Sequence, residues 1–512
     1  MLGTADEDAA VQKLLRIADS SNAPLPDAAK GQLRALISSL RKDIDPVYST
    51  ISHPHSRHFV SGKSALLARL EAAVSPIRDL PLEIIAEILS LCVLEPVHLS
   101  NLAPKHPPWN ITQICSIWRG VALGLPSLWN DIVVEFLFVD QEECIQQWNL
   151  LATFLSRAGN STISLNMFAS MFHDYNPFCQ HFIDSIINCV RPHVTQLKVL
   201  ELQPPEVFIP ILELPSGMVG ALEVVSLVFG GEEGDSPSSF ESGDGLTDNI
   251  TIFDAAPNLH SVTLISQHAY MYPTAFRFPW SQLTHLAILE TYVDFKSGHE
   301  MLRQCTSLVS CSIGVAVDVV CDASLPPTLL PNLISLTVHA YYQMEKHGRF
   351  LQPFVLPSLQ HLELASPNRA PWSEMHVTHL IRRSKPAKFE RFRCSALTVR
   401  DVSAILSEVP LLKELSLCFP RSEPLDPSLD ALITAIACGT LVPNIQSFEL
   451  KVNTIGDWPQ IPRITVYCRR EEIRPCFWDF WDKLPKQKIV DVIIQADGVI
   501  LGMNGYFKVA EI

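Results

Sequence analysis

Residues 331–338 read Pro-Asn-Leu-Ile-Ser-Leu-Thr-Val and residues 357–364 read Pro-Ser-Leu-Gln-His-Leu-Glu-Leu. Both carry the form L-x-x-L-x-L, with apolar residues at the first, fourth and sixth places. The form begins at Leu197, Leu222, Leu259, Leu283, Leu308, Leu333, Leu359, Phe389, Leu412 and Ile445, with Val, Ile, Phe or Cys sometimes replacing Leu. Successive starts are 25, 37, 24, 25, 25, 26, 30, 23 and 33 residues apart. An interval held so near one value over most of a chain is the mark of a repeat architecture, and leucine-rich repeats run roughly 20–29 residues.

The fourth and sixth places alternate as in a short strand with one buried face. One such strand cannot bury that face alone, so the units are expected to stack as a solenoid, each strand followed by a return segment. The returns Asp401–Glu408 and Ser428–Cys438 have helical apolar spacing. Pro257, Pro331, Pro357, Pro410 and Pro443 stand two residues before a repeat start, where proline stops a helix ahead of the next strand. The widest interval holds Gly230–Asn249, with six acids, five glycines, four serines and no basic residue. That composition reads as a flexible insertion. Residues 469–512 fit no unit. Their aromatic cluster Phe477-Trp478-Asp479-Phe480-Trp481 reads as part of a terminal cap.

A chain of 512 residues that is 47% hydrophobic can bury a large core. Its formal net charge of -15 repels phosphate backbones and anionic lipid, which excludes nucleic acid and membrane surfaces as main partners. Apolar runs of about eight residues, such as Ile132–Val139, fall short of the roughly 20 that a membrane helix needs. The opening MLGTADEDAAVQ is acidic and has no apolar run, so no secretory leader is read there. Thirteen cysteines without a CxxC pair read as free, partly buried thiols of a reducing compartment, and the expected location is cytoplasmic or nuclear.

Ahead of the repeats lie two helical stretches. In the first, Leu33, Leu36, Ile37 and Leu40 form one stripe, with Asp27 upstream as cap. A polar stretch, Ser49–Ser64, separates it from a helix over Ser64–Val74. Between Pro76 and Trp129 the spacing predicts a helix over Leu82–Leu94, a proline-rich loop over Pro96–Pro108 and a helix over Ile111–Leu123. The first of these carries Ile84, Ile85, Ile88, Leu89 and Cys92, an apolar surface too broad for so small a bundle to cover. Residues 75–133 include Leu80-Pro81-Leu82-Glu83-Ile84 and then Cys115, Trp118, Arg119, Ala122, Pro126, Leu128 and Trp129. This block resembles an F-box, and the whole layout resembles a large family of fungal F-box-like proteins that end in irregular leucine-rich repeats. The Pro96–Pro108 loop is longer than in the short form of the motif.

The resemblance implies an α plus α/β chain: a small three-helix F-box fused to a leucine-rich-repeat solenoid. It divides the chain into a helical segment (1–72), an F-box-like domain (73–135), a solenoid (136–468) and a cap (469–512). It also implies that Leu80, Pro81, Ile84, Ile88, Trp118 and Leu128 bind the Skp-type adaptor of a cullin–RING ubiquitin ligase, with the repeats holding a protein substrate. The rival expectation is a repeat scaffold whose F-box is vestigial. No catalytic, cofactor or metal role is expected. Ser61-Gly62-Lys63-Ser64 lacks the earlier glycine of a P-loop. His53, His55 and His58 have no Cys or carboxylate close by in sequence. No HExxH, GxSxG or GxGxxG occurs, which argues against a hidden hydrolase. One basic run stands out: Arg382, Arg383, Lys385, Lys388, Arg391 and Arg393, opposed only by Glu390. Arg391 and Arg393 flank Phe392, so alternation puts both on the outer face of a strand, where an acidic or phosphorylated segment could meet them.

Overall fold

The computed structural model describes residues 24–48, 54–99, 107–136, 141–169, 177–229, 250–266, 276–316, 326–340, 347–366, 374–395, 397–419, 439–452 and 464–469. It also describes the short pieces 12–13, 15–16, 372, 431–432, 435–436, 494–496 and 499–501. The expected insertion Gly230–Asn249, the aromatic cluster near residue 480, His53 and most of the expected terminal cap lie outside the described residues. The architecture is mixed helix and largely parallel sheet, in two compact units, Met1–Leu165 and Asn166–Ile512.

The first unit opens with a pair of packed helices, Asp27–Tyr48 and Pro54–Ala73. Leu33, Ile37 and Leu40 of the expected stripe are buried with Leu25, Leu70 and Ala73, and Leu36 packs at the edge of that core. The second helix starts ten residues earlier than its spacing predicts. Pro54 opens it, a position where a missing N–H costs nothing. His55, His58 and the Ser61–Ser64 stretch are therefore helical rather than loop. The segment 1–72 is tied to the turn Pro76–Asp79 rather than standing apart from it: the Lys30 Nζ lies 2.7 Å from Asp79 Oδ1.

Helix Leu82–Cys92 comes next, with Ile85 and Leu89 turned inward. Within the Pro96–Pro108 segment, β1 (Val97–His98) pairs in parallel with β2 (Asp131–Phe136). The expected helix over Ile111–Leu123 is two: Trp109–Thr112 and Ser116–Leu123. The break has a local cause. Cys115 is extended and its sulfur accepts from the Trp118 amide, so it caps the second helix and ends the first turn before it. The adjoining strand, β3 (Ile163–Ala169), carries the boundary between the units.

In the second unit the strands keep chain order. They are β4 (Leu197–Gln203), β5 (Val224–Phe229), β6 (Ser261–Ser266), β7 (His285–Asp294) and β8 (Ser310–Ala316). After the short β9 (Thr328–Leu329) comes β10 (Ser335–Ala340), and after β11 (Phe354–Val355) comes β12 (His361–Ala365). β13 (Arg391–Ser395), β14 (Glu414–Phe419), β15 (Ser447–Val452) and β16 (Ile464–Arg469) complete the sheet. β9 and β11 pair only with each other; the others from β4 to β16 form one sheet, parallel except for β15 with β16.

The fourth repeat positions are cross-strand partners in one unbroken row: Leu200, Val225, Val262, Leu286, Cys311, Leu336, Leu362, Phe392, Leu415 and Phe448. All ten are buried. The sixth positions, from Leu202 to Leu450, make a second row in the same register. Two cysteines, Cys311 and Cys394, serve in these rows as small hydrophobes, and burial pushes both thiols well up from their ordinary range. The returns vary. Phe295–Gln304 is a helix capped by Asp294, and Val399–Ser407 is a helix with a Thr398–Asp401 capping box. Trp280–Gln282 and His347–Leu351 are single 3-10 turns.

A further row ties the units of the repeat together. Asn258 Nδ2 donates to the Gly220 carbonyl, Gln282 Nε2 to Ala256 and Leu259, and Thr306 Oγ1 to Ser281. The row continues with Asn332 to Thr306, Ser358 to Pro331 and Asn444 to Pro410. Each side chain reaches a carbonyl of the unit before it, just ahead of the strand. In four of them the donor comes directly after the proline that ends the return.

Both a polar link of this row and a buried carboxyl bear on stability. Asn332→Ala removes one link and is expected to cost about 1 kcal/mol in denaturant unfolding; no measurable change would deny the row a stabilising part. Glu206, after β4, is largely buried, and desolvation raises its carboxyl to about 7 against one opposing hydrogen bond from its own backbone. A carboxyl raised in the folded state loses stability as pH climbs from its unfolded value of about 4.3 through about 7. Glu206→Gln is expected to flatten that slope and to be the more stable form at about pH 8; parallel unfolding curves for both proteins at about pH 5 and about pH 8 would contradict it.

Candidate functional site

Helix Leu82–Cys92 has two apolar faces. Ile85 and Leu89, four residues apart, point into the module, where the helix packs on Ser116–Leu123 and on the turn Pro126–Leu128. Ile84, Ile88 and Leu91 lie at i, i+4 and i+7 and share the other face. There Ile84 is 48% exposed and Leu91 61% exposed, while Ile88 is half-buried. Leu82, Leu94, Ile77, Ile114 and Leu123 are exposed in the same unit. Single exposed apolar side chains are ordinary on a protein surface, but a continuous helical face of them calls for a cover.

The inner face is held by an aromatic core. Trp129 is fully buried and its Nε1 donates to the Ala122 carbonyl at 2.8 Å. Trp109, Trp129 and Phe154 pack edge to face, with centroids 4.9 to 5.8 Å apart. The Arg157 guanidinium sits 4.3 Å from the Trp129 ring centre. Arg119 Nε donates to the Thr112 carbonyl at 2.7 Å, closing the break between the two short helices.

Against this geometry the six expected docking residues divide. Pro81 and Ile84 are exposed, and Leu80 and Ile88 are half-buried at the edge of the uncovered face. Trp118 is only 7% exposed and Leu128 only 2%, so both belong to the interior and are not available to a partner. Trp118 belongs to the helix capped by Cys115, which packs on helix Leu82–Cys92. Leu82, Leu91 and Leu94, outside the expected set, are exposed apolar residues of the same stretch. The signal that finds Leu91 is the presence of two apolar stripes, Ile85/Leu89 and Ile84/Ile88/Leu91, on one short helix.

The basic run near Phe392 is also divided. Phe392 is buried, Arg393 exposed and Arg391 half-buried, as alternation requires. Arg391 is engaged by Glu414, its strand partner, with Nη2 to Oε1 at 2.8 Å. Hydrogen bonding to Arg391 holds the Glu414 carboxyl below its usual range, and the same bond raises Arg391 further. Arg382 pairs with Glu408 at 2.7 Å, and Arg383 donates to the Leu351 and Phe354 carbonyls. Half of the run thus has partners within the protein. Among the described residues there is no cluster of His, Cys, Asp or Glu that could hold a metal ion, and no helix long and apolar enough to cross a membrane.

No protein-family model matches this chain, and no curated protein matches it. Among solved structures it is similar to a chain from the crystal structure of the yeast Rad7 and Elc1 complex, at 12% identity, covering 80% of this chain and 96% of that one. The TM-score is 0.34.

The two faces should separate in mutants. Trp118→Ala is expected to destabilise the first unit by about 3–5 kcal/mol, whereas Ile84→Ser should stay within about 0.5 kcal/mol of the parent. Thermal unfolding of both variants checks this, and a large loss for Ile84→Ser would mean that its face is packed within the protein.

Proposed function

We propose that residues 73–135 form an F-box that docks a Skp-type adaptor of a cullin–RING ubiquitin ligase. In the same reading, the repeats form a leucine-rich-repeat solenoid that holds a protein substrate. The observation that carries the docking half is the uncovered Ile84/Ile88/Leu91 face directly after Leu80-Pro81, on a helix that turns Ile85 and Leu89 into the module. Burying such a face on a partner contributes about 25 cal/mol per Å² of apolar surface removed from water. The substrate half is supported by the many-stranded parallel sheet, whose outward positions carry polar and charged side chains while the inward rows are apolar. The chain acts by holding two proteins close, and bond chemistry belongs to the ligase it joins.

The test is co-purification of the Skp-type adaptor with the full chain and with Ile84→Asp. An unpaired carboxylate in a buried interface costs several kcal/mol, so the adaptor should be lost from the variant while its unfolding midpoint is unchanged. Failure of the parent chain to retain the adaptor, or equal retention by both, overturns the docking assignment and favours a repeat scaffold.

A further inference from the structure

The side of the second unit near its last strands carries a groove that neither the packing nor the docking face explains. It lies where the returns end and the strands β13 to β15 begin. Two depressions, of about 370 Å³ and about 230 Å³, meet at Leu411, which lines both. Leu411 is 53% exposed although it adjoins the first position of a repeat, and Pro410 beside it is exposed as well. Arg382 and Lys385 border the larger depression, and Lys388 and Lys413 the smaller.

The charge here opposes that of the chain. The protein carries -15 overall, yet the groove has four cations and two acids. Each acid is already neutralised: Arg382 holds Glu408 at 2.7 Å and Lys413 holds Glu390 at 2.6 Å. Lys385 and Lys388 remain as exposed charges, one at each depression. Lys385 has a second peculiarity. It ends the helix Glu374–Ser384 with φ of 44°, in the left-handed region that favours glycine. A side chain kept where glycine would be unstrained is a reason to look for what the side chain does.

We infer that this groove binds an acidic peptide segment bearing one apolar side chain, with the apolar group against Leu411 and carboxylates on either side facing Lys385 and Lys388. The inference rests on the reading of the repeats as the substrate-bearing part. It places recognition on the flank of the sheet and not at Arg391, which Glu414 already occupies. The groove crosses two inter-strand steps of about 4.8 Å, a distance that roughly three residues of extended chain span at about 3.3 Å each. Recognition would thus need only a short segment.

Fluorescence anisotropy of the full chain with a labelled peptide Glu-Glu-Asp-Leu-Glu-Glu-Asp tests this. Binding is expected, weakening as salt is raised, and about tenfold weaker when Ala replaces the peptide's Leu. Lys385→Glu with Lys388→Glu should abolish it. Lys385→Gly is the sharper variant, since it should bind the peptide several-fold more weakly while unfolding at the same temperature as the parent or higher. Absence of peptide binding, equal binding by the double variant, or equal competition by an oligonucleotide of matching charge would each overturn the inference. Adaptor co-purification is read on the same preparations. In the parent chain, no peptide binding with the adaptor retained fails the groove alone; no adaptor with the peptide bound fails the docking assignment alone.

Discussion

A strand of the second unit can hide its apolar residues only behind the strands on either side of it, and the rest of that unit is arranged around this dependence. Leu336 is buried because Cys311 and Leu362 stand beside it in register, and each of those needs its own neighbour in turn. The consequence is a tolerance that differs sharply by position. The fourth- and sixth-position rows hold Cys, Val, Ile, Phe or Leu. The intervening outward positions hold Ser, Thr, His, Glu and Arg without disturbing the ladder. Returns may lengthen, shorten or switch between helix and 3-10 turn, provided that the next strand arrives in register.

Register is set first by the apolar rows and is then reinforced by directional contacts. The side-chain bonds from Asn258, Gln282, Thr306, Asn332, Ser358 and Asn444 to the preceding unit are directional, and they act just before each strand begins. Paired backbone bonds at the strand starts add to them: both Ile334 and Ser335 donate to the Val309 carbonyl, and both Gln360 and His361 to Ile334. The hydrophobic rows supply the driving force and oppose a one-residue slip, which would turn them outward, and these polar contacts reinforce the same register.

The first unit solves burial differently. Its small module engages one side of helix Leu82–Cys92 on an aromatic core and leaves the other side in water. A bundle of this size has too little interior for both. In the second unit the charges near β13 show a similar division of labour. Arg382, Arg383 and Arg391 serve internal partners, while Lys385 and Lys388 face solvent beside Leu411.

Much of this was legible in the chain. The L-x-x-L-x-L spacing determined where strands form, which residues they bury and that neighbours share one register, since a period-2 pattern repeated about every 25 residues has one economical way to stack. The stripe Leu33/Ile37/Leu40 and the inward pair Ile85/Leu89 arise equally from helical spacing. What spacing could not decide is which of two apolar faces is covered, because hydrophobicity is a property of a residue while burial is a property of its neighbours. Ile84 and Trp118 look alike as apolar members of one motif; only the packing of two helices places Trp118 inside and leaves Ile84 in water. The same holds for charge. Arg391 and Lys385 sit in a single basic run, but Arg391 lies opposite Glu414 on a partner strand and Lys385 does not. That pairing joins residues 23 positions apart, and it exists only once the sheet has formed.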